Sequence, residues 1–420
     1  MYSSVNNTSQ VKKIVLVNHY AGSPEMGMEF RPYYMALLWQ KMGYEVMIVA
    51  SSYSHLRSKQ PVVTNNGLHE IEGVSYALFK TKPYCGNGLK RILNIFEFVR
   101  HLYTRAAKVI TDFNPDVIIA SSTYPLEIYP LKKLARKNNA KLIFEVHDLW
   151  PLSPRLLGGY SKLHPFIYIM QQAENYAYRN SDAVVSLLPC TLEHMQEHGL
   201  KKEKWYYVPN GIYLYDDAEQ EIELPQAHNE LIHRLKKENA LLVGYAGSIG
   251  VANNIRMLID SRRLIQNDRI HLIITGNGPE KEKIIQQMSD SDRKYVHFLD
   301  AVPKRAVVTL LRKMDMLIIT WNKSPLYAYG VSANKLFDYM FSAKPIVQAL
   351  EAGNDPVMES GCGITVEPEN KTRIAEAIEA IANMPEEERI KMGEKGKQFV
   401  LKKHIYQVLA KEFAEILHKL

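Results

Sequence analysis

Residues 329–348 read YGVSANKLFDYMFSAKPIVQ, a pattern that predicts a glycine-containing loop, a capped helix and a return strand. Ser332 is placed as the N-cap, where a hydroxyl accepts a bond from an amide of the first helical turn. From Ala333 onward, Leu336, Phe337, Met340 and Phe341 share one helical face, and Asn334, Lys335, Asp338 and Ser342 share the other. Lys344-Pro345 ends the helix and Ile346 to Leu350 is extended. A helix N-terminus presents free amides and the positive end of the dipole, which suits a phosphate. Lys335 adds a cation there, and Asp338, one turn deeper, offers a carboxylate to a sugar diol. The same pattern also fits an ordinary α/β crossover with a solvated polar face, so the rest of the chain must decide.

The 420 residues exceed one ordinary core and predict two domains. With 46% hydrophobic and 23% charged residues and no biased tract, the chain is globular rather than fibrous or disordered. Cys85, Cys190 and Cys362 are widely separated, with no CxxC, which points to a reducing compartment and away from a cysteine-built zinc site. The start, MYSSVNNTSQVKK, lacks the apolar core of a signal peptide. No apolar run approaches the ~20 residues that span a bilayer, so a cytoplasmic protein is expected. The net charge of +7 is uneven: residues 1–215 carry 24 Lys and Arg against 16 Asp and Glu, and residues 216–420 carry 28 against 29. Residues 89–111, LKRILNIFEFVRHLYTRAAKVIT, predict an amphipathic helix with Ile92, Ile95, Phe96, Val99, Leu102 and Tyr103 toward one side. Its basic residues, Lys90, Arg91, Arg100, Arg105 and Lys108, suit peripheral contact with anionic lipid, or equally a solvated face over a core-facing side. No nucleic-acid motif accompanies the charge, so no nucleic-acid partner is expected.

Two rounds of alternating strands and helices follow. The first has strands at Lys13–Val17, Glu45–Ala50, Asp116–Ala120, Lys141–Val146, Ala183–Leu188 and Trp205–Val208, with a helix Arg31–Met42 stopped by Gly43. Tyr215 to Asn239 is charged and weakly periodic, which suits a connection. The second round has strands at Leu241–Gly247, His271–Thr275, Val296–Leu299, Met316–Thr320, Pro345–Leu350 and Gly363–Val366. The fold class is therefore α/β, two Rossmann-like domains with parallel sheets expected to face across an interdomain cleft. The expected division is 1–215, an acceptor-side domain; 216–400, a nucleotide-sugar-binding domain; and 401–420, a C-terminal helix crossing back to the first.

In this setting the chain resembles the family 4 glycosyltransferases of the GT-B fold, nearest to bacterial enzymes that build lipopolysaccharide, O-antigen or capsule. The stretches that carry the resemblance are NHYAGSPEMGMEFRPYYMA, EVHDLWP, VPNGI, GYAGSIG, ITGNGP and YGVSANKLFDYMFSAKPIV, and together they span nearly the whole chain. The family's motif of two glutamates separated by seven residues falls in the segment quoted first. Asp338 matches the second, which the resemblance implies bonds the nucleotide ribose; the first falls at Gly330, which has no side chain. Relatives often carry an Arg and a Lys after the glycine matched by Gly247, where this chain has Ser248 and Asn253. The diphosphate's charge must then be met elsewhere, by Lys335 first and by Arg256 or Lys323 next.

The resemblance further implies that His147 bonds a donor-sugar hydroxyl, with Asp148 orienting it or capping the next turn and Glu145 a weaker polar candidate; a buried histidine satisfied by backbone is the plain alternative. Expected donor-nucleotide residues are Gly247, Ser248, Gly276, Gly278, Phe298, Leu299, Gly330, Val331, Ser332, Asn334, Lys335 and Asp338, the amides of residues 330–332 lining sugar and phosphates. Gly22, Gly27 and Arg31 are placed at a loop near donor phosphates or acceptor, although Arg31 also fits a solvated helix start. The loop lacks a full GxGxxG, which disfavours a dinucleotide cofactor. Asp290-Ser291-Asp292 spells DxD but lacks a strand to aim it, so no metal is expected. The reaction implied is retaining transfer from a nucleotide-diphosphate sugar, preferably a UDP-sugar, to a lipid-linked saccharide, with catalysis by His147 and Lys335. A nucleotide-sugar epimerase on the same scaffold and a non-catalytic scaffold in a polysaccharide assembly complex are the alternatives.

Overall fold

The strands that the sequence makes most apolar form the centres of two sheets. A computed structural model of the protein describes residues 12–63, 67–86, 88–216 and 220–420. The chain divides into two compact units, Met1–Val208 with Leu409–Leu420, and Pro209–Val408.

The first unit holds β1 (Lys13–Val17), β2 (Glu45–Ser51), β3 (Gly67–Ile71), β4 (Val74–Phe79), β5 (Val117–Ala120), β6 (Lys141–Val146), β7 (Ala183–Ser186) and β8 (Trp205–Tyr207). Among the described residues these make one eight-stranded sheet in the order β3-β4-β2-β1-β5-β6-β7-β8. All neighbours are parallel except β3 with β4. Ile14 to Val17 and Val117 to Ala120 are buried along their whole length, as a sheet covered on both faces requires. The β3–β4 hairpin departs from the expected strand–helix alternation. Glu72 and Gly73 take positive φ (48° and 79°) at its turn, and β3, an edge strand exposed at alternate residues, carries too weak an apolar run to be read as a strand.

The second unit holds β9 (Leu241–Ala246), β10 (Ile270–Thr275), β11 (Val296–Leu299), β12 (Met316–Thr320), β13 (Ile346–Ala349) and β14 (Gly363–Val366). Its six-stranded parallel sheet has the order β11-β10-β9-β12-β13-β14, the doubly wound order with its reversal between β9 and β12. A ligand site is built at the carboxyl ends of strands beside such a reversal.

Several expectations need correction. The segment expected to be a connection contains a helix, Gln226–Lys237, whose charged surface conceals three inward residues, His228, Ile232 and Leu235. Residues 89–111 form two helices, Leu89–Tyr103 and Arg105–Phe113, broken at Thr104. The first buries Asn94, Ile95, Phe98 and Leu102, and leaves Leu89, Leu93, Phe96 and Tyr103 exposed. The domain division falls before Pro209 rather than at 215, because Ile212 bridges Ile405 and Leu214 accepts from Gln407 at 2.7 Å within the second unit. Residues 401–403 end the helix Glu386–Lys403, and only from Leu409 does the helix Tyr406–Lys419 belong to the first unit. The expectation that the first residues hold no signal peptide lies, up to residue 11, outside the described residues.

The C-terminal helix is core, not decoration. Phe413 is fully buried with its ring 5.0 Å from that of Trp39, and the Trp39 indole donates to the Ala410 carbonyl at 3.1 Å. Phe413→Ala is expected to destabilise the first unit by about 3–5 kcal/mol. Urea unfolding should show a lower midpoint at unchanged slope; an unshifted midpoint contradicts this packing.

Candidate active site

The quoted segment folds as a helix, Asn334–Phe341, docked on the end of β9. Tyr339, fully buried, makes the dock: its hydroxyl accepts from the Ala246 amide at 2.7 Å and donates to the Ala246 carbonyl at 3.0 Å. Leu336, Phe337, Met340 and Phe341 enter the core as their spacing predicts. The opposite face is less solvated than expected, since Asp338 is 7% and Ser342 2% exposed. The N-cap is Ala333, not Ser332. The Ser332 hydroxyl is engaged elsewhere, accepting from the Asn210 amide at 2.8 Å, and its carbonyl accepts from the Asn210 side chain. The helix closes at Phe341, before Lys344-Pro345, with Ala343 in the left-handed region.

Lys335 points back along the helix toward the β9–β12 reversal. Its Nζ bonds Asn253 Oδ1 and lies 5.3 Å from the centre of the Tyr245 ring and 5.4 Å from that of Trp321. Asn253, noted in the sequence as lacking a charge, is an acceptor that orients one. Among the described residues no carboxylate pairs with this ammonium. Desolvation lowers its pKa to about 7. Arg256 and Lys323 are committed otherwise: Arg256 to Gln287 at 2.9 Å and to Asp260, Lys323 to Glu351 at 2.9 Å.

Asp338 is held by a residue that sequence reading missed. Lys304, in the loop after β11, spans both carboxylate oxygens at 2.7 and 2.5 Å. Nothing near Lys304 in sequence marks it, and the pairing is visible only once β11 and the helix lie together.

The glycine loops approach as closely as backbone permits. A Cβ on Gly276, whose φ is +148°, would lie 1.9 Å from the Gly247 carbonyl oxygen, and one on Gly278 2.2 Å from that of Ile249. Gly247 also lies against Lys335, whose Cδ would be 3.5 Å from a Cβ there. Gly247, Gly276, Gly278 and Lys335 are thus brought together. The carbonyl of the neighbouring Ser248 accepts from the Tyr245 hydroxyl at 2.7 Å. Lys281 ties this region to the end of β11, donating to the Leu299 carbonyl at 3.2 Å and to Asp300 at 2.7 Å. The Leu299 carbonyl also accepts from the Gly276 amide, and the Phe298 ring packs on the core. The Gly330 and Val331 amides are likewise taken, by the Tyr327 carbonyl and by Asn354 Oδ1 at 2.7 Å. Their expected role as phosphate donors is therefore corrected: Gly330, with φ +100°, shapes the loop instead. Asn334 is exposed at the helix start.

The first unit builds a second cluster at its own reversal, between β1 and β5. Arg31 is not a solvated helix start. It is 2% exposed and clamps Glu145 Oε1 through Nε at 3.1 Å and Nη2 at 2.9 Å, while Nη2 also donates to the Val208 carbonyl. The Ser121 hydroxyl donates to Glu145 Oε2 at 2.6 Å, and the Asn18 side chain holds the Ser121 carbonyl at 2.7 Å. His147 Nε2 lies 2.9 Å from Ser121 Oγ and 3.2 Å from Glu145 Oε2. An ionised carboxylate only accepts, so Nε2 carries a proton. Ser121 and Glu145 are the residues that bond His147, and the N-cap position of the next helix, Leu152–Gly158, is Pro151, with no side-chain cap bond. Burial alone would raise the Glu145 pKa, but Arg31 and the bonds from His147 and Ser121 override it and hold the carboxyl well below the usual range. Gly22 and Gly27 close their own loop: the Gly22 amide donates to the Glu29 carbonyl and the Gly27 amide to the Ser23 carbonyl.

The DxD triplet is a helix start. Ser289 caps the helix Asp290–Tyr295 in a reciprocal capping box, and Asp292 pairs with Arg263 at 2.8 Å.

Residues 27–214 match the sequence family described as Glycosyltransferase Family 4, and residues 240–384 match Glycosyl transferases group 1. A comparison with curated proteins finds no match. Among solved structures the chain resembles Anabaena Alr3699/HepE in complex with UDP and glucose (TM-score 0.67, 16% identity, covering 97% of this chain and 100% of that one). It also resembles sucrose-phosphate synthase from Thermosynechococcus elongatus (TM-score 0.71, 14% identity, 97% and 98% covered). A third is WaaG, a glycosyltransferase involved in lipopolysaccharide biosynthesis (TM-score 0.65, 14% identity, 96% and 99% covered).

The buried Arg31–Glu145 pair generates a stability prediction. Arg31→Met leaves the carboxylate buried without its cation and is expected to cost about 3–5 kcal/mol at pH 7. Because the folded pKa of Glu145 is depressed, its contribution is full above the unfolded value of ~4.3 and is lost as pH falls through the folded one. Urea unfolding at neutral and acidic pH should show the gap between wild type and variant narrowing in acid; equal stability at pH 7 contradicts the assignment.

Proposed function

Since the chain belongs to the family 4 glycosyltransferases and is thus a retaining transferase with a nucleotide-sugar donor, we propose that it moves an acetamido or deoxy sugar from a UDP-sugar to a lipid-linked glycan in cell-surface polysaccharide assembly. The observation that carries this is the division of charge on the helix Asn334–Phe341: Asp338 is neutralised by Lys304, whereas Lys335 is oriented by a neutral amide. An ammonium without a carboxylate partner, beside glycine loops, suits a diphosphate. Asp338, its two oxygens steadied by Lys304, keeps lone pairs for a ribose diol. HepE, in complex with UDP and glucose, and WaaG, a glycosyltransferase involved in lipopolysaccharide biosynthesis, support the choice of nucleotide and of a cell-surface polysaccharide setting.

In the proposed reaction the bond from the anomeric carbon to the leaving phosphate oxygen breaks, and the acceptor oxygen bonds that carbon from the same face. The acceptor proton passes to the leaving phosphate. Gly330 supplies no carboxylate, so the protein contributes position and charge: Lys335 on the departing diphosphate and His147 on a donor-sugar hydroxyl. Lys335 supplies the cation for the diphosphate in this reading, and added Mg²⁺ or Mn²⁺ is expected to leave the rate unchanged. No helix among the described residues is long and apolar enough to cross a membrane. Exposed Leu89, Leu93 and Phe96 beside Lys90 and Arg100 support peripheral contact at the cytoplasmic membrane face, where the acceptor would be met.

The test is purified protein with UDP- or GDP-sugars and a lipid-diphosphate acceptor. Product that requires acceptor supports the reading; donor conversion without acceptor makes the protein an epimerase, and failure to bind any nucleotide makes it a scaffold. Lys335→Met and Asp338→Ala should each lower kcat/KM at least ~100-fold with melting behaviour intact; wild-type turnover in either contradicts the site. As pH rises through the Lys335 pKa of about 7 the ammonium is lost. The KM for donor should therefore rise several-fold between about pH 6.5 and about pH 8.5, and less so in Lys335→Arg, whose guanidinium does not titrate there. A flat wild-type profile rules out this role for the ammonium.

A further inference from the structure

The first unit contains a second convergence of chemistry-bearing side chains, outside the Arg31–Glu145–His147 cluster. Glu174 lies in the helix Pro165–Asn180, His194 in the short helix Leu192–Glu197, and His198 at its C-terminal cap. One ligand atom from each, two imidazole nitrogens and a carboxylate oxygen, lie within 4.8 Å of one another. Glu174 Oε1 is 3.5 Å from His194 Nε2. Zinc–ligand bonds of ~2.0–2.1 Å in a tetrahedron place neighbouring ligand atoms ~3.3 Å apart, so this pair already stands at ligand spacing.

The surroundings fit a cation better than they fit a plain ion pair. Glu174 is 2% exposed, and among the described residues neither Lys nor Arg pairs with it. Its other partners are neutral donors: the Tyr178 hydroxyl on Oε1 at 3.0 Å and the Gln171 amide on Oε2 at 2.6 Å. Glu145, the comparable buried carboxylate, has an arginine. A histidine balances such a charge only when protonated. The outer bonds are those that steady metal ligands. Tyr178 and Gln171 fix the carboxylate, and His198 Nδ1 lies 2.9 Å from the His194 carbonyl, which makes Nδ1 the donor and leaves Nε2 its lone pair. The spacing of His194 and His198, four residues apart, puts both rings on one side, with centroids 4.4 Å apart.

We propose that Glu174, His194 and His198 bind one divalent transition-metal ion of the zinc type, with solvent completing the coordination through the half-exposed His198 side. Two imidazoles and a carboxylate suit zinc, cobalt or nickel, and are a poor set for magnesium or calcium. Bound there, the ion ties the helix before β7 to the helix after it.

Tag-free protein stripped with chelator and titrated with Co(II) tests this directly. The wild type is expected to take up one equivalent, with the visible absorption of a low-coordinate cobalt site that one equivalent of Zn(II) abolishes. His198→Ala, at a partly exposed position that the fold tolerates, should weaken uptake at least tenfold, and Glu174→Gln likewise. Zn(II) should raise the wild-type melting point by mass action and raise that of His198→Ala less. Absence of a cobalt spectrum, or equal binding by wild type and His198→Ala, overturns the proposal.

Discussion

The ammonium of Lys335 is held by an amide oxygen and two aromatic faces rather than by a carboxylate, and the construction of the second unit follows from keeping it so. A lysine one turn from an aspartate on the same helix would ordinarily share charge with it. Here Lys304 reaches in from another loop and takes both oxygens of Asp338. Tyr339 pins the helix to the end of β9, which sets Lys335 beside Gly247 at the point where the strand order reverses. The close approach of Gly276 to the Gly247 carbonyl keeps side chains out of the same space. Ser248 and Asn253 bring no charge after Gly247, and the cation beside that glycine comes from the helix.

The first unit applies the opposite arrangement at its own reversal. There a carboxylate, Glu145, is paired with an arginine and buried, and the pair serves to orient a histidine. In both units a carboxylate is paired with a cation out of solvent beside a second group: Asp338 with Lys304 next to Lys335 in one, Glu145 with Arg31 next to His147 in the other. Each arrangement draws on loops at strand carboxyl ends, where a doubly wound sheet gathers residues distant in sequence.

The central strands were legible because a parallel sheet buried on both faces demands uninterrupted apolar runs, such as Ile14–Val17 and Leu241–Ala246. The edge hairpin β3–β4 and the helix Gln226–Lys237 were not, since each carries a polar surface and shows its buried side at only a few positions. Lys335 and Asp338 could be singled out from the helix that bears them, because helical spacing is local. Their partners could not: Lys304, Asn253 and Tyr245 become neighbours only through the pairing of strands. Ser332 illustrates the converse error. Its residue type fits an N-cap, but a tertiary bond to Asn210 claims the hydroxyl and the helix begins one residue later than a Ser332 cap would place it.

The most direct test of the charge division is the titration of Lys335 itself. Protein labelled with ¹³C at lysine Cε, with the Lys335 signal assigned by its loss in Lys335→Arg, can be titrated by NMR with and without UDP. The predicted midpoint is about 7 for the free protein, moving up by a unit or more when the diphosphate supplies the missing anion. A midpoint near the ordinary lysine value of ~10.4 in the free protein, or one indifferent to UDP, would contradict the account.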